Sequence, residues 1–252
     1  VQLHGHPVAL FRDGHRVGAL DDACPHRGYP LHKGTVEGGC LVCPYHGWRW
    51  SADGQGHAPG SPRARPCTTP WEAVERDGLV WIRRGEGHAP FPTVDTDGHQ
   101  HVSTFRRRVG APLEVTLDNF IEVEHTPAVH AFLGYSTARL ADVTCVTTLT
   151  DDAVRVYNRG PQRALPGPVR RLFSVPDGAD FVDDWTTRFD PVHTVYAQYF
   201  VAPGSDAPHR YALRIAVFFT PVGPRETDLF VRVYTTAAAW SRPLLEAVRL
   251  PI

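Results

Sequence analysis

Two short loops near the start of the chain each carry one cysteine and one histidine. The first reads Cys-Pro-His-Arg-Gly at residues 24–28, and the second reads Cys-Pro-Tyr-His-Gly at residues 43–47. Thiolate sulfur and imidazole nitrogen are both good metal ligands, and the glycines allow each loop to turn tightly beside a metal. Two cysteines and two histidines in paired loops could therefore hold either one Zn²⁺ or one two-iron cluster.

The spacing of these four residues favours the two-iron cluster. Cys24 and His26 are separated by one residue, sixteen residues follow, and Cys43 and His46 are separated by two. Each loop can then span both irons, which places the two cysteines on one iron and the two histidines on the other. Zinc fingers usually group cysteine with cysteine and histidine with histidine.

A second group of candidate metal ligands lies in the middle of the chain. His125 and His130 are five residues apart, which on a straight helix would place them about 140° apart. Pro127 interrupts the helical pattern and allows both imidazoles to reach one point. Two histidines and one carboxylate on one face of Fe(II) leave positions open for other ligands. The His-x₄-His spacing alone is a weak signal, and the preceding cluster loops strengthen it.

Both groups resemble the motifs of one known family. Residues 24–28 and 43–48 resemble the signature of the Rieske ring-hydroxylating oxygenases, in their oxygenase (alpha) component. Residues 118–130 resemble the family pattern Asp-Asn-x-x-Asp-x-x-His-x₄-His. The resemblance covers nearly the whole chain. It implies a [2Fe–2S] Rieske cluster and a mononuclear Fe(II), the latter bound by His125 and His130.

One position departs from the family pattern. The family usually has an aspartate where this chain has Glu122, and that carboxylate connects a cluster histidine of one subunit to an iron-binding histidine of the next. We expect Glu122 to keep this catalytic role, because carboxylates beside ligating histidines orient them. The resemblance also implies a homo-oligomer, which we predict to be a trimer.

The remaining cysteines have no ligand spacing. Respiratory Rieske proteins carry a further cysteine in each loop, but here those places hold Tyr29 and Tyr45, which implies a low-potential cluster. Cys40, Cys67 and Cys145 are predicted to be buried or half-buried thiols. An odd cysteine count without a secretion signal argues against a disulfide framework and favours a reducing cytoplasm. Lys33 is the only lysine among 26 basic residues, which indicates a high-GC bacterial genome.

The elements that must position these residues form an α+β protein. Residues 1–88 show short β-type runs and predict an all-β Rieske domain, residues 89–101 a linker, and residues 102–252 a catalytic domain of helix-grip (START-like) fold with a central antiparallel sheet. Helical spacing extends from Leu113 to His130, and strand-like runs follow it up to Thr235. Residues 241–250 predict a terminal helix.

Composition excludes several classes of function. The net charge of −1 is unsuited to nucleic-acid binding, and no apolar run is long enough to cross a membrane. No dinucleotide-binding fingerprint occurs, so electrons from NAD(P)H must arrive through a separate reductase or ferredoxin. The chain lacks methionine, and we expect it to be part of a longer protein.

The predicted function is the oxygenase component of a Rieske system. It would use O₂ and reductase-supplied electrons to hydroxylate, demethylate or desaturate a small organic substrate. The alternatives are a Rieske electron-transfer protein without oxygenation chemistry and a zinc-stabilised binding module. No carboxylate downstream matches the family position of the third iron ligand: Glu246 comes too early in its helix, and Asp190 and Asp228 match no motif. We therefore expect that ligand to lie beyond Ile252.

Overall fold

The chain folds into two compact units. The computed structural model describes residues 1–85, 90–96, 98–122, 125–129 and 134–236. The first unit comprises Val1–Phe91 together with Pro221–Pro224, and the second comprises the rest of the chain. Among the described residues, no helix has the length and apolar character needed to cross a membrane.

The first unit is built from short antiparallel strands. Its strands are β1 (Gln2–Leu3), β2 (His6–Asp13), β3 (Arg16–Asp21), β4 (Thr35–Glu37), β5 (Cys40–Val42), β6 (Arg49–Trp50), β7 (Gly56–His57), β8 (Pro70–Arg76) and β9 (Leu79–Arg84). In the described residues they form one sheet in the order β1-β2-β3-β8-β9 and a smaller sheet in the order β4-β5-β6-β7. The loops with cysteine and histidine follow β3 and β5, so that both leave the end of a strand.

A small apolar core fixes the bases of these two loops. Cys24 and Cys43 are buried in one hydrophobic cluster with Leu31 and Trp50, and the last two are completely buried. Burying a large aromatic and a leucine side chain removes enough apolar surface to order a short-stranded domain. The cysteines therefore belong to the core, and the rest of each loop extends from it.

The second unit is one antiparallel sheet with short helices. Its elements are β10 (Gln100–Val109), α1 (Leu113–Ile121), α2 (Thr126–Val129), β11 (Thr144–Leu149), β12 (Ala153–Pro161), α3 (Gly167–Leu172), β13 (Asp180–Phe189), β14 (Val192–Val201), β15 (Pro208–Gly223) and β16 (Glu226–Thr235). The described strands follow the order β10-β16-β15-β14-β13-β12-β11. The predicted α+β class with antiparallel sheets is confirmed.

Helix α1 packs against one face of this sheet. Leu113, Leu117 and Phe120, spaced as the sequence predicts, contact the apolar cluster that contains Val217 and Leu229. The ring of Phe120 meets that of Phe219 edge to face, with ring centroids 5.1 Å apart. This contact places the end of α1 over the middle of the sheet.

The helix ends earlier than the sequence predicts. The apolar pattern places the break at Pro127, but α1 ends at Ile121 and Glu122 has extended backbone angles, φ −115° and ψ 155°. Pro127 instead lies in the first turn of α2. Its missing N–H has no helical partner to lose there, so it does not break the structure.

Candidate metal sites

The two cysteine–histidine loops have the same backbone turn. In the first, Cys24 N donates to Tyr29 O at 2.8 Å and Gly28 N donates to Cys24 O at 2.7 Å. In the second, Cys43 N donates to Trp48 O at 2.8 Å and Gly47 N donates to Cys43 O at 3.0 Å. The internal repeat seen in the sequence is therefore a structural repeat, with each hydrogen bond formed at the same offset from its cysteine.

Each turn depends on a glycine. Gly28 and Gly47 have φ of +67° and +69°, in the left-handed region that other residues adopt at a cost. Gly28 lies two residues after His26, and Gly47 lies directly after His46. The left-handed residue reverses the chain so that its histidine returns toward the other loop.

The two cysteine side chains form a buried pair. Cys24 and Cys43 are 2% and 1% exposed. Burial raises the pKa of the Cys24 thiol, and the hydrogen bond and negative charge of Cys43 raise it further. A buried thiol whose ionisation a neighbouring thiol hinders becomes a thiolate readily only when a cation neutralises it, which is the behaviour of a metal-binding cysteine.

The two histidine rings form a second pair. The ring centroids of His26 and His46 lie 4.6 Å apart, and the ring of Trp48 stacks on His26 at 4.5 Å with an angle of 3°. Burial, followed by the nearby His46 and Arg27, lowers the pKa of His26. A neutral imidazole is the form that binds a metal.

One atom of this pair shows directly that the residues fit a metal. The Nδ1 atom of His26 is buried and has no hydrogen-bond partner within the described residues. An imidazole nitrogen in that condition is normally satisfied by a ligand or a metal. A pair of thiols and a pair of imidazoles in adjacent turns have the donor set of a [2Fe–2S] cluster with two cysteines and two histidines.

Two tyrosines lie beside these pairs. Tyr29 and Tyr45 occupy the places of the extra cysteines of respiratory Rieske proteins, and their ring centroids are 5.7 Å apart. The ring of Tyr45 also contacts His46, at 3.9 Å. An aromatic contact therefore joins the two loops where the other class has a covalent bond.

The other cysteines are more exposed than predicted. Cys67 and Cys145 are exposed, and Cys40 is half-buried. Cys145 lies on β11, an edge strand whose side chains are all exposed. The expectation of burial was wrong for these two residues; for Cys145 the reason is that the sequence does not reveal that β11 is an uncovered edge strand.

Glu122 and His125 form a close pair at the break after α1. The backbone N–H of His125 donates to Glu122 Oε2 at 3.2 Å, and Glu122 Oε1 contacts His125 Nδ1. A carboxylate on Nδ1 holds the proton on that nitrogen and turns Nε2 toward any metal, which is the common arrangement around histidine ligands. The early end of α1 is what brings the carboxylate back onto the ring.

Several predicted residues cannot be placed. His130 and Glu246 lie outside the described residues, as does the predicted helix at 241–250. Asp228 lies in β16, where it accepts hydrogen bonds from Arg106 at 2.5 Å and from Arg108 at 2.9 and 3.0 Å. In the part of the chain that the structure describes, no three His, Cys, Asp or Glu side chains converge on one ion position.

Comparison with known proteins adds the family. Residues 1–72 match the family model of the Rieske [2Fe–2S] domain. The chain is 29% identical over 263 residues to the vanillate O-demethylase oxygenase subunit of a Pseudomonas species, across 94% of this chain and 76% of that protein. It is 37% identical over 136 residues to the dicamba O-demethylase oxygenase component of Stenotrophomonas maltophilia, across 49% of this chain and 40% of that one. The chain therefore contains a Rieske [2Fe–2S] domain and is similar over most of its length to oxygenase components of the Rieske non-heme iron oxygenases.

The fold agrees with that similarity. A crystal structure of dicamba monooxygenase bound to dicamba superposes with a TM-score of 0.83 and 21% identity, covering 98% of this chain and 75% of that one. The relatives are oxygenase components of Rieske systems, which supports oxygenation over electron transfer alone. A [2Fe–2S] cluster and a non-heme iron are accordingly the cofactors of this class.

The sequence did not single out a polar row on the sheet of this oxygenase. Asn158, Asp183 and Gln198 lie opposite one another on three neighbouring strands. Each is a polar residue at an inward position of a strand, a signal that becomes visible only when the register of the strands is known. Strand β13, which carries Asp183, was itself not predicted.

Proposed function

We propose that this oxygenase is the terminal component of a system that uses O₂ and electrons from NAD(P)H to oxidise a small organic substrate. A separate reductase or ferredoxin would deliver the electrons. The observation that carries the proposal is the coexistence, in one chain, of the paired Cys–His turns and the Glu122–His125 pair. An electron-transfer protein needs only the first of these.

We assign the four loop residues to the cluster. Cys24 and Cys43 would bind one iron, and His26 and His46 the other. The buried thiol pair, the adjacent imidazole pair and the unsatisfied Nδ1 of His26 support this division. When bound, the cluster supplies single electrons and the mononuclear iron supplies O₂ activation.

We assign His125 and His130 to the mononuclear iron and Glu122 to their orientation. The carboxylate of Glu122 keeps a proton on Nδ1 of His125, which leaves Nε2 as the nitrogen for the metal. In the working protein we propose that Glu122 also faces a cluster histidine of a neighbouring subunit. Glutamate is one methylene longer than the usual aspartate, which gives it the reach for both contacts.

This role for Glu122 requires an oligomer, which we propose to be a homotrimer in the bacterial cytoplasm. Electrons would then pass from the cluster of one subunit to the iron of the next. The reaction type is proposed by similarity: two relatives are named O-demethylases, and one, from Comamonas testosteroni, is named a toluene-4-sulfonate monooxygenase iron–sulfur subunit. Hydroxylation, demethylation and desaturation all need the same arrangement of residues.

Product analysis with a surrogate reductase tests the proposal. The purified protein, supplied with NADH, O₂ and a panel of methoxylated and methylated ring compounds, should consume O₂ and release an oxidised product. Its visible spectrum should show the red-brown absorption of a Rieske centre. A protein with that spectrum that passes electrons to an acceptor but oxidises no compound would favour the electron-transfer alternative. A colourless zinc protein would contradict the oxygenase.

A further inference from the structure

Three polar side chains form a row across the large sheet. Antiparallel pairing places Asn158 of β12 opposite Asp183 of β13, and Asp183 opposite Gln198 of β14. Directly opposed residues point to the same face of a sheet and lie within contact distance. We call these three residues the polar row.

The polar row lies on the face that α1 covers. The next rung along the strands pairs Trp185 with Tyr196, and Tyr196 belongs to the cluster packed by α1. The hydroxyl of Tyr196 donates to Phe120 O at 2.8 Å, near the end of that helix. Because residues two apart on a strand share a face, the polar row faces the same space as the end of α1, where Glu122 and His125 follow.

The polar row is largely buried, and three of its side-chain atoms have no partner among the described residues. Asn158 is 0% exposed and Asp183 is 4% exposed. Gln198 Nε2 donates to Asp183 Oδ1 at 3.1 Å. Within the described ranges, Asn158 Nδ2, Asn158 Oδ1 and Gln198 Oε1 have no hydrogen-bond partner. Buried polar atoms are almost always paired, so these atoms point to a partner that the described residues do not supply.

Neighbouring polar residues on the same sheet do have hydrogen-bond partners. Thr187 and Thr194 lie on the same face and bond to each other at 2.8 Å while fully buried. On the opposite face, Arg155 donates to both oxygens of Asp184, at 2.9 and 2.6 Å. The unsatisfied atoms of the polar row thus contrast with these neighbouring polar pairs, whose groups have partners.

The charge of the polar row selects what it can bind. The pKa of Asp183 is raised to about 7, chiefly by burial; the hydrogen bond from Gln198 opposes this rise, and the nearby charge of Asp184 adds to it. Tyr135 and Tyr196 are the other titratable groups that interact with Asp183, and burial raises the pKa of both. Among the described residues, no cationic side chain is one of the groups that shift the pKa of Asp183, so an anion placed against this carboxylate would meet its negative charge without a compensating cationic side chain.

We propose that the polar row of Asn158, Asp183 and Gln198 anchors the substrate of this oxygenase and selects ring compounds that carry a hydroxyl or N–H group over ring carboxylates. The inference rests on the proposed function, since it concerns the substrate of that same site. The donor of the ligand would reach the oxygens of Asp183 and Gln198, and Asn158 would serve an adjacent acceptor. Trp185 and Tyr196, one rung away, would flank its ring.

The selectivity differs from what some relatives' names indicate. Vanillate and toluene-4-sulfonate, which appear in the names of two relatives, are anions. A site that holds a buried carboxylate is poorly suited to either. Such a difference would lie in side chains, because the fold is shared with dicamba monooxygenase.

Calorimetric titration tests the selectivity without relying on turnover. The probes are 4-methoxybenzyl alcohol, 4-methoxybenzylamine and 4-methoxybenzoate, which share one ring and differ in the group presented to the polar row. At about pH 8 we expect the alcohol and the amine to bind roughly tenfold tighter than the benzoate. Benzoate affinity equal to or above that of both donors would overturn the inference, as would a failure of both donors to bind.

Matched variants assign the selectivity to the polar row. Asp183→Asn should reduce the preference for the amine by about tenfold, whereas Asp184→Asn, on the opposite face, should retain it. If Asp183→Asn does not fold, Asn158→Leu provides the test, since replacing an unsatisfied buried amide by an apolar side chain of similar size favours folding. Asn158→Leu should lose affinity for the donors, and unchanged affinity would contradict the proposal.

The outcome is separable from that of the proposed function. A protein that shows the Rieske spectrum and forms product, yet prefers the benzoate, overturns only the substrate inference. A protein that prefers the donors but forms no product with any of them contradicts the proposed oxygenation while leaving the binding preference standing.

Discussion

The cluster loops and the helix-covered face of the large sheet build their sites in opposite ways. In the loops, each candidate ligand lies within a turn whose hydrogen bonds join residues four or five positions apart. On the sheet, Asn158 and Gln198 are brought into one row by pairings across three strands. The first kind of site is a property of a short segment, and the second is a property of the whole sheet.

This difference explains why the loops suit a metal cluster and the sheet face suits a substrate site. A cluster needs ligands in fixed positions. Two short hydrogen-bonded turns on a buried core provide them without help from distant parts of the chain. A substrate site needs to vary while the fold stays constant, and single side chains on a sheet face can change without disturbing the strand ladder. The shared fold and the unusual polar row are consistent with that division.

The largest expected effect comes from breaking the local site. Cys24→Ser and Cys43→Ser should each abolish the Rieske absorption, because a buried serine offers no thiolate to the iron. Cys67→Ser, at an exposed position, is the control and should keep the full spectrum. Retention of the spectrum in both loop variants, or its loss in Cys67→Ser, would mean that the ligands are misassigned.

The next effect concerns the junction after α1. Glu122→Gln should retain the cluster spectrum and the iron content but lower kcat by about 10- to 100-fold, since an amide cannot hold the Nδ1 proton of His125 as a carboxylate does. Glu114→Gln, an exposed change in the same helix, should leave kcat unchanged. Sedimentation should give a trimer for both variants. Full turnover in Glu122→Gln, or in a strict monomer, would refute the bridging role.

The sheet site should show a dependence of stability on pH, between about 4 and 7, that can be assigned to the single carboxylate of Asp183. The pKa of Asp183 rises to about 7 from an ordinary value near 3.8. Below the ordinary pKa, the Asp183 carboxyl is protonated in both the folded and the unfolded protein and does not affect stability. Between the two pKa values the unfolded state ionises first, so the free energy of unfolding falls as pH rises. Above about pH 7 this loss of stability is constant. The free energy of unfolding of Asp183→Asn should therefore increase, relative to that of the wild type, by a few kcal/mol as pH rises from about 4 to 7.

Urea unfolding at several pH values measures this gain. Asp184→Asn is the control, because it removes a charge from the opposite face and leaves Asp183 in place, so its difference from the wild type should lack that rise. A constant difference between Asp183→Asn and the wild type across the range would show that Asp183 is not held in the protonated form.

The smallest effect tests the turns themselves. Gly28→Ala should lower the free energy of unfolding by about 1 to 2 kcal/mol, because φ of +67° is unfavourable for alanine. An added Cβ would meet no atom within 4 Å, so the effect is conformational and not steric. Gly60→Ala, which also meets no atom within 4 Å and has no positive φ, should change stability by less. Equal changes at the two positions would count against the left-handed turn.

The sequence predicted the features that depend on neighbouring residues. The paired turns, the apolar face of α1 and most strands of the second unit follow from local composition and periodicity. The sequence predicted that the helix breaks at Pro127, whereas it ends before Glu122. A proline can be recognised in the sequence as a helix breaker, but the pairing of Glu122 with His125 cannot. Strand β13 was missed, since residues 181–187 do not alternate clearly between apolar and polar. The polar row was missed for the related reason that strand register cannot be read from one strand.

The most direct test of the account is to count the histidine nitrogens bound to the cluster. Pulsed electron–nuclear resonance on the reduced protein, with histidine labelled by ¹⁵N, reports the nitrogens coupled to the cluster spin. The account predicts two coupled histidine nitrogens, and predicts that they belong to His26 and His46, so that the signal is lost in His26→Ala or His46→Ala. A cluster signal without histidine coupling, or a protein that contains zinc in place of the cluster, would contradict it.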